Sequence, residues 1–399
     1  MDTQQLLKQL SIKTDSKIIL LVIDGLGGLP VNGQTELEKA ATPNLDALAA
    51  RSACGLTDPI SPGITPGSGP AHLALFGYDP FKYKIGRGVL DTLGISFNLE
   101  PIDVAARGNF CTIDEEGIIT DRRAGRISTE ENEKICQLLS GIEIDGVEIF
   151  VKPVKEHRCA VIFRGEGLYG NVADTDPQKV GLTPLPAKAL TPDSEKTAMI
   201  ANKFIGQAKE RLKNSHPANM IVLRGFDKFS PIPTFGQIYK LTPAAIATYP
   251  MYKGLARLVG MEILEAGQTI EDEIKCLRQN WPDFDFFYLH IKGTDSRGED
   301  GDFEGKVQVI EEFDHYIPEI LDLSPDVVAV TADHSTPARM ASHSWHPVPL
   351  LLYSDRVRKD RTSSFGETEC ILGALGRLKA TDVLPLALAN AGKLIKYGA

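Results

Sequence analysis

Ile19-Leu20-Leu21-Val22-Ile23-Asp24-Gly25 is the stretch on which the reading of this chain turns. After Lys17 the residues are leucine, isoleucine and valine only, until the run stops at Asp24-Gly25. An apolar run without alternation is the pattern of a strand covered on both faces, as in a parallel sheet flanked by helices. Asp24 then falls at the carboxyl end of that strand, where open α/β sheets bind their ligands. Downstream, Thr42-Pro43-Asn44-Leu45 opens a helix, with Thr42 as cap, Pro43 in the first turn, and Leu45, Leu48 and Ala49 on one side. Phe286 to Ile291, Val327 to Thr331 and Leu350 to Tyr353 read as further buried strands, and Val307, Ile310, Phe313 and Ile317 recur between them at helical spacing. Strand–helix alternation of this kind predicts an α/β fold, a mostly parallel sheet with helices on both faces.

The middle of the chain has a different texture. Strand-like pieces such as Val104 to Arg107 and Cys159 to Arg164 mix with loops rich in glycine and proline. We read residues 97–237 as a smaller α+β domain inserted into a discontinuous catalytic domain formed by 1–96 and 238–399. A length of 399 residues suits two domains. Hydrophobic content of 42% and charged content of 24% are those of a globular protein. A net charge of −10 argues against a nucleic-acid partner. No apolar run approaches the roughly 20 residues needed to cross a bilayer, and Met1 to Leu10 is polar and charged, so the expectation is a cytoplasmic protein with no membrane partner. Six cysteines are scattered singly without a CxxC pair, as expected for buried thiols in a reducing compartment.

Two sets of residues carry chemistry. The first is Asp24 followed by Pro66-Gly67-Ser68-Gly69-Pro70-Ala71-His72. A serine hydroxyl needs a base or a metal to become nucleophilic. Pro66-Gly67-Ser68-Gly69-Pro70 is not a Gly-x-Ser-x-Gly elbow, which disfavours a hydrolase triad. A short helix from Pro70 would turn its positive end toward a phosphate on Ser68. The second set runs from His290 through Asp295 and Glu299 to Asp333-His334 and His343. Asp295 and Glu299 lie four apart in a glycine-containing loop whose spacing excludes an EF-hand. Singly, Ser68 reads as a turn, Asp24 as a cap and His343 as structural. Jointly, carboxylates, imidazoles and one hydroxyl at successive strand ends are the equipment for moving a phosphoryl group.

The chain resembles the cofactor-independent (2,3-bisphosphoglycerate-independent) phosphoglycerate mutases of archaeal type, within the alkaline phosphatase superfamily. The resemblance rests on Val22-Ile23-Asp24-Gly25-Leu26-Gly27, Ala41-Thr42-Pro43-Asn44-Leu45-Asp46, the segment from Pro66 to Pro80, Gly301-Asp302-Phe303-Glu304-Gly305-Lys306 and Asp333-His334-Ser335-Thr336-Pro337. It implies an alkaline-phosphatase-like sheet and two divalent ions, Mn²⁺ or Mg²⁺ with Zn²⁺ as an alternative. One ion would be held by Asp24, Ser68, Asp333 and His334, the other by Asp295, Glu299 and His343. Ser68 would be transiently phosphorylated. Where the superfamily pattern Asp-x-x-x-His expects histidine, this chain has Glu299, so either Glu299 or His346 completes the second set.

The implied reaction interconverts 3-phosphoglycerate and 2-phosphoglycerate, a glycolytic and gluconeogenic step, without 2,3-bisphosphoglycerate. Its partner is a small phosphorylated carboxylic acid. The inserted domain would act as a lid that excludes water. Arg122, Arg126 and Arg158 are the candidates for gripping carboxylate and phosphate, with His157 beside them. Asp121, Asp174 and Asp176 are the candidates for handling the glycerate hydroxyls. The competing readings are a metal-dependent phosphatase or phosphodiesterase, a homoserine-kinase-like phosphotransferase, and a catalytically silent metal-binding regulator. A sulfatase is disfavoured because no Cys/Ser-x-Pro-x-Arg sequence follows Ser68.

Overall fold

The computed structural model describes residues 3–398. They form two compact units, residues up to 84 together with those from 233 onward, and 85–232. In chain order the strands are β1 (Ile18–Ile23), β2 (Ala53–Asp58), β3 (Asp103–Ile113), β4 (Ile119–Asp121), β5 (Ile142–Ile144), β6 (Val147–Lys155) and β7 (Arg158–Arg164). They continue with β8 (Met220–Lys228), β9 (Pro243–Ile246), β10 (Glu262–Ile263), β11 (Phe286–Ile291), β12 (Val327–Thr331), β13 (Val348–Tyr353) and β14 (Gly376–Lys379).

The discontinuous unit is built on an eight-stranded sheet in the order β10-β9-β11-β1-β12-β13-β2-β14. All neighbouring pairs are parallel except those made by β13, which runs against both β12 and β2. Every residue of β1 is buried, in keeping with its unbroken apolar run. Ile19, Leu21 and Ile23 share a core with Leu45, Leu48, Ile274, Leu277, Ile310 and Phe313 from helices on that face. On the other side of the sheet the helix Val383–Asn390 packs against β12. The register pairs Val22 with both His290 on β11 and Thr331 on β12. That pairing brings Asp24 and Asp333 to the same edge of the sheet, each two residues beyond a paired position.

Two local expectations change. Thr42 precedes the helix Pro43–Ala49 but its side chain makes no capping bond. The carboxylate of Asp314 takes over that role, accepting the amides of Asn44 at 3.1 Å and Leu45 at 2.7 Å. The helix expected through Ile317 is divided into Phe303–Asp314 and Ile317–Leu321, with Pro318 in the first turn of the second.

The unit 85–232 is α+β. Its six-stranded sheet runs β4-β3-β7-β6-β5, with β8 also on β3, and every pairing is antiparallel. The helices Thr129–Leu138 and Glu195–Leu212 contribute Ile135, Ala201 and Phe204 to its core, together with Phe163 and Leu223. The helix Arg87–Gly94 belongs to this unit and the helix Phe235–Tyr239 to the other, so the compact units part at 84/85 and 232/233 rather than at 96/97 and 237/238.

Candidate active site

Three ligand-type side chains converge at the carboxyl ends of β1 and β12, and Ser68 joins them from a helix. Asp24 directly follows β1 and Asp333-His334 follow β12; all three are fully buried. Gly25 turns the chain away with φ of +65°, and a Cβ there would sit 2.6 Å from Thr336 Oγ1, so only glycine allows the loops to close so tightly. Ser68 is the first residue of the helix Ser68–Leu75, two residues earlier than expected, because Gly67 is already the extended cap residue and Pro70 fits within the first turn.

The Nε2 atom of His334 lies 3.2 Å from Ser68 Oγ, 3.1 Å from Asp333 Oδ2 and 3.4 Å from Asp24 Oδ1. Asp24 Oδ1 and Asp333 Oδ2 are buried and accept no well-formed hydrogen bond. Their other oxygens are engaged. Asp24 Oδ2 accepts the Tyr252 hydroxyl at 2.5 Å and lies 3.0 Å from Lys292 Nζ, while Asp333 Oδ1 accepts the Gly25 amide at 3.3 Å. One oxygen of each carboxylate is therefore fixed by protein and the other is turned toward Ser68 and His334.

A second cluster adjoins the first through His334. Asp295 on the helix Gly293–Glu299 accepts the Thr336 hydroxyl through Oδ1 at 2.8 Å, and the same oxygen lies 3.5 Å from His343 Nε2. Thr336 Oγ1 is also 2.9 Å from His334 Nδ1, and the rings of His334 and His343 stack at 3.6 Å. Glu299, one turn beyond Asp295, brings Oε1 to 3.7 Å from His343 Nε2 with its side chain 56% exposed. His346 bonds Ser344 Oγ at 3.0 Å, stacks on Trp345, and is in neither group of converging ligand atoms among the described residues. Asp24, Asp333 and His334 make one such group, and Asp295, His334 and His343 the other.

Burial and the charge of Asp333 push Asp24 up, but Lys292 and His290 hold it down at about 2. Burial also opposes ionisation of Asp333, which His334 and His72 nevertheless hold well below the usual carboxylate range. Burial disfavours the charged form of His334, yet Asp333 and then Asp24 and Asp295 raise it to about 9. The pocket is thus anionic and draws positive charge inward.

Sequence reasoning passed over Tyr252, Lys292 and Thr336. Lys292 stands just past β11 and carried the same strand-end signal as Asp24. Tyr252 carried none, since its partner Asp24 is reached only through the fold.

Of the candidates in the other unit, Arg158 and Arg126 lie close enough to His157 to act on its charge. His157 is buried, and burial followed by Arg158, Arg123 and Arg126 lowers it to about 4, so it is neutral at pH 7. Arg122 pairs with Asp176 through two bonds of 3.2 and 2.7 Å, and Arg158 lies 3.3 Å from Glu156. Arg126 closes the short turn Ala124–Arg126 with φ of +54°. Asp121 accepts the amides of Arg123 and Gly125, and Asp174 accepts that of Gly225.

Comparison with known proteins gives the family. The family model for 2,3-bisphosphoglycerate-independent phosphoglycerate mutase matches residues 49–219. A Thermotoga neapolitana protein named probable 2,3-bisphosphoglycerate-independent phosphoglycerate mutase is 55% identical over 401 residues, covering 100% of both chains. A Thermus thermophilus protein of the same name is 54% identical over 406 residues, again over 100% of both. Among solved structures, the cofactor-independent phosphoglycerate mutase of Thermoplasma acidophilum superposes with a TM-score of 0.70 at 30% identity, covering 94% of this chain and 100% of that one. The PH0037 protein of Pyrococcus horikoshii gives a TM-score of 0.84 at 31% identity over 96% and 99% of the two chains. With full-length identity at this level and its candidate ligands gathered at the sheet's carboxyl edge, the chain belongs to the 2,3-bisphosphoglycerate-independent phosphoglycerate mutase family.

Proposed function

We propose that this enzyme interconverts 3-phosphoglycerate and 2-phosphoglycerate through a phosphoserine at Ser68, with two divalent ions and without 2,3-bisphosphoglycerate. The observation that carries the reading is the position of Ser68 Oγ, 3.2 Å from the imidazole that the two clusters share. The residues fit divalent cations. Two buried carboxylate oxygens without a well-formed hydrogen bond are costly in a protein interior unless a cation meets them. Ligand atoms 3.1 to 3.4 Å apart match the edge of a coordination sphere with bonds of about 2.1 Å. Asp24, Ser68, Asp333 and His334 would hold one ion, and Asp295, Glu299 and His343 the other. The oxygen-rich set favours Mn²⁺ or Mg²⁺, with Zn²⁺ the alternative that imidazole allows. When bound, such ions neutralise phosphate oxygens and lower the pKa of the serine hydroxyl.

Ser68 Oγ attacks phosphorus in line as the bond from phosphorus to the glycerate oxygen breaks, and the proton given up by the serine is matched by the one the released glycerate oxygen takes up. The glycerate turns, its other hydroxyl attacks the phosphoserine as the bond from phosphorus to Ser68 Oγ breaks, and the proton given up by that hydroxyl is matched by the one that restores Ser68. Arg122, Arg126 and Arg158, with His157 as an uncharged hydrogen-bonding group, are the residues we assign to the substrate's carboxylate and phosphate. A residence in the cytoplasm accords with the absence of any helix, among the described residues, long and apolar enough to cross a membrane.

Phosphorus NMR of 3-phosphoglycerate with Mn²⁺ tests the reading. Wild type is expected to yield 2-phosphoglycerate with phosphate retained, and Ser68→Ala neither product nor phosphoenzyme. Inorganic phosphate without 2-phosphoglycerate would establish a phosphatase instead.

A further inference from the structure

His72 lies one helical turn after Ser68 and is fully buried. Its Nδ1 is 2.9 Å from the carbonyl oxygen of Ser68 and 3.3 Å from Asp333 Oδ2. Both neighbours are acceptors, so the tautomer that satisfies them carries its hydrogen on Nδ1. Nε2, on the far edge of the ring, is buried without a hydrogen-bond partner and faces an aromatic wall, with the rings of Tyr252, His290 and Tyr288 at 4.9, 5.3 and 5.7 Å. The ring thus bonds the main chain of the serine through its one donor and holds the same edge in electrostatic contact, at 3.3 Å, with the oxygen of Asp333 that is turned toward the ligand cluster.

The geometry points to His72 as a positioning residue that locks the serine's helix to the metal carboxylate Asp333. The inference rests on the proposed metal site, and it concerns a residue that touches neither substrate nor ion. The helix Ser68–Leu75 and the loop after β12 come from opposite ends of the chain, and no main-chain bond between Ser68 and Asp333 fixes their spacing. A fully enclosed ring whose Nδ1 bonds the Ser68 carbonyl and lies 3.3 Å from Asp333 Oδ2 does so, because turning it would break the bond and withdraw the donor edge from the carboxylate. Asp24 is held through its other oxygen, Oδ2, by the Tyr252 hydroxyl. Partners that orient a ligating carboxylate typically govern metal affinity by about 10–100-fold.

The test is Mn²⁺ affinity, by electron paramagnetic resonance or calorimetry, alongside kcat and KM for the full-length enzyme. His72→Phe keeps the ring and removes the donor, and its Mn²⁺ affinity is expected to fall by about 10–100-fold. His72→Asn places an amide nitrogen where Nδ1 stood and is expected to stay within about threefold of wild type. His72→Gln moves the donor to the Nε2 position and is expected to lose affinity like the phenylalanine variant. Folding of each is checked in EDTA by circular dichroism. Wild-type affinity in the phenylalanine or the glutamine variant, or equal losses in the asparagine and phenylalanine variants, would overturn the inference. A wild-type enzyme that binds no Mn²⁺ would instead overturn the metal site itself.

Discussion

Lys306 offers a stability test in the middle of the discontinuous unit. Its side chain is fully buried, and Nζ donates to the carbonyls of Gly27 at 3.1 Å and Thr336 at 2.9 Å. Glu36 Oε1 lies 3.9 Å away and accepts the Ala338 amide at 2.7 Å. One ammonium therefore clasps the loop after Asp24 to the loop after Asp333. Lys306→Met retains most of the stem and removes the donors. Each stranded carbonyl costs about 1–3 kcal/mol, and an uncompensated buried charge about 3–5 kcal/mol. These effects overlap at one locus, so we expect about 4 kcal/mol in total. At about 2–4 °C per kcal/mol for a unit of this size, its melting temperature should drop by roughly 10 °C. Calorimetry in EDTA measures this without interference from metal binding. Lys306→Met combined with Glu36→Gln should recover part of the loss, because the second change removes the charge left unpaired. A single variant melting within about 2 °C of wild type would show that the clasp does not hold the loops.

Further outcomes concern the ions. Glu299→Ala should reduce bound Mn²⁺ from two equivalents toward one by elemental analysis, with the Asp24 cluster still loaded; unchanged stoichiometry and affinity would remove Glu299 from the ligand set. Mn²⁺ must displace the His334 proton, so apparent affinity should rise about tenfold per pH unit from 7 and level off near 9. Calorimetry in buffers of different ionisation enthalpy should find about one proton released per enzyme molecule on loading at pH 7, and none released would refute the displacement. The same raised value has the opposite sign for the metal-free fold. The stabilisation from charged His334 is complete below about 6.5 and is lost as pH rises through about 9. Metal-free melting temperature should therefore decline across that window while metal affinity increases.

Much of the site was readable in one dimension because a doubly covered strand imposes an unbroken apolar run, and ligands in such sheets gather at strand ends. Ile18–Ile23 and Val327–Thr331 announced themselves in that way, and Asp24 and Asp333-His334 followed from them. Periodicity could not say which distant side chain completes a local gap. Thr42 had the right chemistry for a cap, yet the carboxylate of Asp314 occupies the place. The unit boundaries were equally silent, since composition does not change at 84/85 or 232/233.

The amino-acid order alone determined the fold class and which candidate ligands stand at strand ends, because burial on two faces and strand-end placement leave a local imprint. Only the folded chain settled which oxygen of each carboxylate is free and which is tied down. Those assignments depend on Tyr252, Gly25 and Lys292 meeting Asp24 and Asp333 across the sheet, and sheet register is a property of paired strands that no single segment encodes.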